Sequence, residues 1–192
     1  MIKTEDFEKV PVESAEDLRA WLESNHGRER GVWVVTYKKQ VPEKYVTTGE
    51  VLDELLAFGW IDGIRRKLDE ERTMQLITPR RAQHWSKTYK DRVAKLEAEG
   101  RMAAPGRAAV AAGKASGLWN FLDDVDALVQ PPDLVAAFAD FPGSRARFEA
   151  FGPATQRFAL RWIKLAKTDK TRRKRVRETA RLAQLGQKVP GS

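Results

Sequence analysis

A run of nine residues, GVWVVTYKK at positions 31–39, constrains the fold of this chain more than any other segment. It is rich in β-branched and aromatic residues, which fit a pleated strand. Its apolar residues do not alternate with polar ones, so both faces of the strand are apolar. Such a strand is stable where other elements cover both of its faces. The run therefore predicts a central, covered strand.

Helix-start patterns lie on either side of this strand. Ser14 followed by Asp17, and Thr47 followed by Glu50, each predict the capped start of an amphipathic helix. The segment GWIDG at 59–63 predicts a turn after the second of these helices, because Asp-Gly favours tight reversals.

The next segments predict a hairpin and two further helices. Residues 64–68 and 72–78 alternate apolar and polar side chains around an acidic connection, as the strands of a hairpin do. The basic, aromatic segment TPRRAQHWSK at 78–87 leads into a helix, and an alanine-rich helix follows Pro105. The segment FLDDVDALVQPPD at 121–133 predicts a domain boundary, because it is acidic and punctuated by proline.

Beyond this boundary every segment predicts a helix. Pro153 suits the first turn of a helix whose apolar side carries Phe158, Trp162 and Leu165, with Ile163 beside them. A last helix starts at Thr168 or Asp169, with Val176, Ala180 and Ala183 as its inner stripe.

We therefore predict an α+β protein with a three- to four-stranded sheet covered by helices, followed by a C-terminal helical bundle. The predicted domains are residues 1–120, an α+β domain, and residues 131–192, a helical module.

The composition excludes several classes of site. The positive net charge of the chain, described below, points to an anionic partner. The chain has no cysteine, which excludes disulfides, thiolate catalysis and cysteine-ligated metal centres. Neither histidine has a spaced partner for a metal, and no nucleotide-binding or nucleophile motif is present, so we expect no metal, cofactor or catalytic group.

The first fifteen residues lack an apolar core segment, and no apolar run reaches the ~20 residues that a bilayer requires, so we expect a cytoplasmic protein without a transmembrane segment. The oligomeric state is not fixed by the sequence.

Several motifs together resemble the YdeI/OmpD-associated family, across roughly residues 16–186. They are EDLRAWLESNH with GVWVVTYKK, ELLAFGWIDGIRRKLDEER, TPRRAQHWSK, PPDL and RFALRWIKLAKTDKTRRKRV. The resemblance implies a link to bacteriocin protection and to outer-membrane porins, and it carries no reaction, cofactor or catalytic residue. Because the sequence shows no export segment, direct contact with a porin is not expected.

Three groups of side chains are candidate sites. A helix N-terminus with nearby guanidinium groups can bind phosphate or carboxylate. The first group lies at such a helix start and is a candidate anion site: Arg80, Arg81, His84, Ser86 and Lys87. The alternative is that Ser86 caps the helix, Trp85 packs in the core and the arginines pair with acids of the hairpin.

A second group surrounds the predicted 59–63 turn and could form a pocket with two carboxylates beside basic groups: Glu54, Trp60, Asp62, Arg65, Arg66 and Trp85. Paired carboxylates with shifted pKa values can perform acid–base chemistry. The structural alternative is that Asp62 forms the Asp-Gly turn and Glu54 holds an arginine of the hairpin.

The third group is a basic partner surface on the last two helices: Arg157, Arg161, Lys164, Arg173, Lys174, Arg177 and Arg181. Residues 161–188 hold eleven basic and two acidic side chains, a net charge of +9 in a chain of net charge +8. Such a surface could neutralise phosphates of a polyanion, or it could only keep the protein in solution.

These groups favour a non-enzymatic protein that binds an anionic partner, which is a small anion, a nucleic acid or an anionic surface, or that protects against stress or a bacteriocin. Two alternatives remain open at this point. One is a nucleic-acid-binding protein that uses the basic helices, and the other is an enzyme that acts on a small anionic metabolite through Glu54, Asp62 and the Arg80–Arg81 loop.

Overall fold

The computed structural model describes residues 6–191 and has an α+β fold, as predicted. The ends of the predicted domains, residues 1–5 and residue 192, lie outside this range. The chain divides into two compact units, the first ending at Asn120 and the second beginning at Phe121.

The first unit contains a four-stranded sheet and four α-helices within the described residues. The strands are β1 (Lys9–Pro11), β2 (Val32–Tyr37), β3 (Trp60–Lys67) and β4 (Arg72–Pro79). The helices are α1 (Ala15–Asn25), α2 (Thr48–Ala57), α3 (Lys87–Ala98) and α4 (Ala104–Ala115), with a short 3-10 helix at Pro42–Lys44.

The strand order β1-β2-β4-β3 confirms that the apolar run forms a central strand. β2 pairs with β1 in parallel and with β4 in antiparallel orientation, and β3 and β4 form the predicted hairpin. Val32, Val34 and Ile77 share one face of the sheet and pack in a core with Leu18 of α1 and Leu55 of α2. β1 was not predicted, because three residues carry too little periodicity to reveal a strand that exists through its pairing with β2.

Both predicted helix starts are confirmed. The Ser14 hydroxyl accepts a hydrogen bond from the backbone N–H of Asp17 at 3.0 Å, at the N-terminus of α1. Thr47 and Glu50 form a complete capping box at the start of α2. These bonds satisfy N–H groups that have no partner inside the helix.

The predicted turn at 59–63 is wrong. Gly59, with φ of 71°, ends α2, and the chain continues directly as β3, in which Asp62 pairs with Ile77. The ladder is irregular between Asp62 and Arg65, so Gly63 lies in a bulge and not in a reversal. The turn propensity of Asp-Gly is overridden by strand pairing and by the side-chain bonds of Asp62 described below.

The second unit consists of five helices among the described residues: α5 (Asp123–Asp126), α6 (Pro132–Ala139), α7 (Ser144–Glu149), α8 (Pro153–Lys164) and α9 (Asp169–Gln184). Its core includes Leu134, Phe138 and Phe148. The inner stripe predicted for α9 is confirmed, since Val176, Ala180 and Ala183 are buried.

The predicted apolar side of α8 is wrong. The helix buries Gln156, Ala159, Leu160 and Ile163, whereas Phe158 is 37% exposed. Gln156 can lie inside because its amide donates to the backbone oxygens of Glu149 and Phe151, at 3.1 and 2.7 Å. A polar residue with satisfied hydrogen bonds therefore belongs to the buried face, which an apolar count does not detect.

Candidate anion-binding sites

Arg80 directly follows β4. Its guanidinium group stacks on aromatic side chains of the core and is partly buried. The group lies 3.7 Å from the ring centre of Trp85 and 5.0 Å from that of Tyr89. Nη2 donates to the backbone oxygen of His84 at 2.8 Å, while Nε and Nη1 are buried without a hydrogen-bond partner in the part of the chain that is described. Burial lowers the pKa of Arg80 to about 10. An anion could reach these two nitrogens only if neighbouring side chains moved.

The remaining members of this predicted site have different surroundings. Exposed Arg81 donates through Nη2 to the backbone oxygen of Glu29 at 3.1 Å. Lys87 pairs with Asp91, one turn further along α3, at 2.7 Å. Ser86 occupies the N-cap position of α3, as predicted, but its side chain makes no capping bond. The arginines thus bond to backbone oxygens and not to acids of the hairpin, and Arg80, Arg81 and Lys87 each have a different partner.

Arg81 instead lines a cavity of about 350 Å³ at the end of the sheet. Its other lining residues are Phe7, Glu29, Arg30, Gly31, Thr78, Pro79 and Gln83. The Arg30 guanidinium lies 5.4 Å from the ring centre of Phe7. Phe7 and Arg30 belong to no motif in the sequence, so their place in this cavity was not predicted.

Glu54 is a buried carboxylate held between two arginines. Its side chain is 3% exposed and accepts from Arg19 of α1 at 3.0 Å and from Arg101, which follows α3. Neither partner belongs to the hairpin, so the predicted origin of the arginine is wrong. A cavity of about 420 Å³ lies against this group, and its wall also includes Glu16 and Glu50. The capping bonds from Thr47 lower the pKa of Glu50.

Asp62 belongs to a separate network. It accepts from the hydroxyl of Tyr89 at 2.7 Å and from the amide of Gln75 at 3.3 Å. The Gln75 amide oxygen in turn accepts from Arg65 at 2.8 Å. Among the described residues, the cavity beside Glu54 does not include Asp62. Asp62 and Glu54 therefore do not meet in this cavity among the described residues.

Apart from Arg65, which reaches Asp62 through Gln75, the other residues of the predicted second group have different surroundings. Arg65 and Arg66 are successive residues of a strand and project from opposite faces, and Arg66 lies 5.4 Å from the ring centre of Trp33. Trp60 and Trp85 are both 1% exposed. The indole of Trp60 donates to the backbone oxygen of His26 at 3.2 Å. Both tryptophans are core residues.

The terminal helices separate their cations into paired and unpaired groups. Lys164 pairs with Asp124 at 2.5 Å, and Arg181 pairs with Glu178 at 2.8 Å. Arg172, outside the predicted surface, forms a two-bond pair with Asp133, which lowers the pKa of that carboxyl. Within residues 6–191, no direct ion pair is found for Arg157, Arg161, Lys170, Arg173, Lys174 or Arg177, although Lys174, like the paired Arg181, acts electrostatically on Glu178.

Four of these unpaired cations form what we call the terminal cationic face: Lys170, Arg173, Lys174 and Arg177 of α9. All four are exposed. Positions i, i+3, i+4 and i+7 lie on one side of a helix, here next to the buried stripe of Val176, Ala180 and Ala183. Seven residues of helix span ~10 Å, so the face presents four positive charges over a short length. Arg177 also lies 5.5 Å from the ring centre of Phe141.

Neither a metal-binding cluster nor a membrane-spanning helix is found in the described part of the chain. No group of three or more histidine and acidic residues there could hold a metal ion. No described helix has the length and apolar character needed to cross a bilayer.

Two family models match the chain. Residues 10–109, which contain β1–β4 and the helices packed with them, match a domain of unknown function, DUF8412. Residues 127–186, which contain α6–α9, match the family described as bacteriocin-protection, YdeI or OmpD-associated. No curated protein and no solved structure shows a significant match.

Proposed function

We propose a function from the premise that this chain belongs to the DUF8412 family and to the bacteriocin-protection, YdeI or OmpD-associated family. In this proposal it is a cytoplasmic, non-enzymatic protein that binds an anionic macromolecule through the terminal cationic face. The bacteriocin protection named in the family description would, for this chain, act through such binding.

The observation that carries the proposal is that the cations of the face form no direct ion pair in the described structure, since Glu178, which interacts with Lys174, is already paired with Arg181. A solvated charge run on an ordinary surface is commonly interleaved with acids, as Lys164 with Asp124 and Arg181 with Glu178 are here. Lys170, Arg173, Lys174 and Arg177 are exposed on the same side of α9 without such pairing in the described structure. Charges of one sign in this arrangement attract a polyanion and release its counterions.

The salt dependence of binding to a 20-base-pair DNA duplex tests this proposal, because duplex DNA is a polyanion of known charge spacing. Four phosphate contacts correspond to a slope of about −3.6 in log K against log salt. Replacing Lys170, Arg173, Lys174 and Arg177 together by glutamine should remove most of this slope.

A matched control removes four positive charges from the first unit, where exposed cations also lack acidic partners among the described residues: Lys9, Lys39, Arg66 and Lys114. Changing these four to glutamine should leave the slope unchanged. Equal losses in the two variants, or no binding by the unmodified protein at low salt, would contradict the proposal.

A nucleic-acid partner is a second candidate, and exposed Phe158 favours it. On α8 its neighbours one turn ahead are Arg161 and Trp162, at i+3 and i+4. An exposed ring beside a guanidinium can stack a base, and such stacking contributes ~1–3 kcal/mol per base. Phe158→Ala should then weaken binding to single-stranded DNA by more than about fivefold and leave heparin binding unchanged. If Phe158→Ala changes the affinity for single-stranded DNA and for heparin by the same factor, this candidate is excluded.

The enzyme alternative has less support from the geometry. It requires Glu54 and Asp62 to share a pocket with the Arg80 loop, whereas Glu54 is bonded by Arg19 and Arg101, and Asp62 by Gln75 and Tyr89. We therefore retain the non-enzymatic proposal.

A further inference from the structure

We infer that the cavity between Arg30 and Arg81 binds a small organic anion, a phosphate monoester or carboxylate attached to an aromatic ring. This site belongs to the first unit and does not depend on the terminal cationic face. Four of its lining residues are Phe7, Arg30, Pro79 and Arg81.

The electrostatic argument rests on two guanidinium groups that carry no ion pair within residues 6–191. Arg81 is anchored by Nη2 on the Glu29 oxygen, and its backbone N–H donates to the Gln83 side chain at 2.6 Å. These bonds leave Nε and Nη1 of Arg81 as donors toward a ligand. Guanidinium groups bind carboxylate and phosphate through paired hydrogen bonds. With Glu29 as the acidic lining residue, the wall carries a net charge of +1.

The volume and the apolar wall of the cavity indicate which group is attached to the anion of the ligand. A volume of about 350 Å³ lies at the lower end of the usual range for small-molecule sites, ~300–1,000 Å³. Phe7 and Pro79 supply apolar wall, and Phe7 offers a ring for stacking. A bare phosphate ion would leave this apolar surface uncovered, whereas a ring attached to the anion would cover it.

Two other places in the first unit, at Arg80 and beside Glu54, are less suited to an anion. Nε and Nη1 of Arg80 are shielded from solvent. The cavity beside Glu54 has three carboxylates, Glu16, Glu50 and Glu54, in its wall against two arginines. The Arg30–Arg81 cavity therefore has a more favourable charge for an anionic ligand than either of these two places.

Calorimetric titration of the full chain with phenyl phosphate tests the inference, with inorganic phosphate and phenol as comparison ligands. Phenyl phosphate should bind at millimolar concentration or below, and each comparison ligand should bind at least about tenfold more weakly. Arg30→Ala and Arg81→Ala should each weaken phenyl phosphate about ten- to hundredfold, because a charge-assisted hydrogen bond is lost.

The terminal glutamine variant described above is the matched control and should retain phenyl phosphate binding while losing DNA binding. The two arginine variants should show the reverse pattern, so the failure of one proposal is distinguishable from the failure of the other. Arg81→Lys, which keeps the charge, should retain part of the affinity and shows that any loss in Arg81→Ala is not a folding defect. Absence of binding by the unmodified chain, or affinity in the two arginine variants equal to that of the unmodified chain, would overturn the inference.

Discussion

Replacing Glu54 by glutamine tests whether this carboxylate stabilises the fold. The change keeps the volume of the side chain and removes its charge, so the guanidinium groups of Arg19 and Arg101 lose their shared partner. Removing one member of a buried ion pair costs ~3–5 kcal/mol. The two arginine side chains are 32% and 38% exposed, so water recovers part of this loss. We expect the free energy of unfolding to fall by about 2–3 kcal/mol, with a decrease in Tm of about 5–10 °C.

Urea unfolding followed by circular dichroism at neutral pH measures this change. Glu99→Gln is the control, because Glu99 also pairs with Arg101 but is 39% exposed, and exposed pairs contribute ~0–1 kcal/mol. A Glu54 variant as stable as the Glu99 variant would refute the reasoning. Polyanion binding should be unchanged in both variants, since neither residue belongs to the terminal cationic face.

Two further predictions concern packing and pH. A Cβ on Gly106 would lie 2.7 Å from the backbone oxygen of Leu56 and closer still to that of Ala57. Gly106→Ala should therefore destabilise the first unit by about 2 kcal/mol or more, measured by thermal unfolding. The control is Gly27→Ala, because a Cβ at Gly27 meets nothing within 4 Å. The hydrogen bonds from Arg172 lower the pKa of Asp133. A carboxyl group whose pKa is lowered in the folded state stabilises the fold at pH values above its unfolded-state pKa. This stabilisation is lost as the pH falls through the folded-state pKa. Urea titrations at stepped pH should therefore show a smaller loss of stability below about pH 4 in Asp133→Asn than in the unmodified chain.

Local patterns predicted most of the helices and strands because they express short-range interactions. Capping at Ser14 and Thr47 involves residues three positions apart, and the central strand was evident from the composition of one segment. Where the prediction was wrong, tertiary interactions decided the outcome. Asp62 lies in a strand because Gln75 and Tyr89 bond its side chain.

The candidate sites were harder to predict because their residues are distant in sequence. Arg19 is 35 positions and Arg101 is 47 positions from Glu54. Arg30 and Arg81 line one cavity although no motif connects them. The terminal cationic face was partly predictable, since helical spacing places its members on one side of α9. Which of the cations would be paired with acids depended on α5 and α6, which supply Asp124 and Asp133.

Residue-level mapping of amide chemical shifts during titration with a heparin hexasaccharide tests the central claim most directly. We predict that the largest shifts fall on α9 between Lys170 and Arg177 and disappear as salt is raised. Shifts confined to the first unit, or no shifts at low salt, would contradict binding through the terminal cationic face.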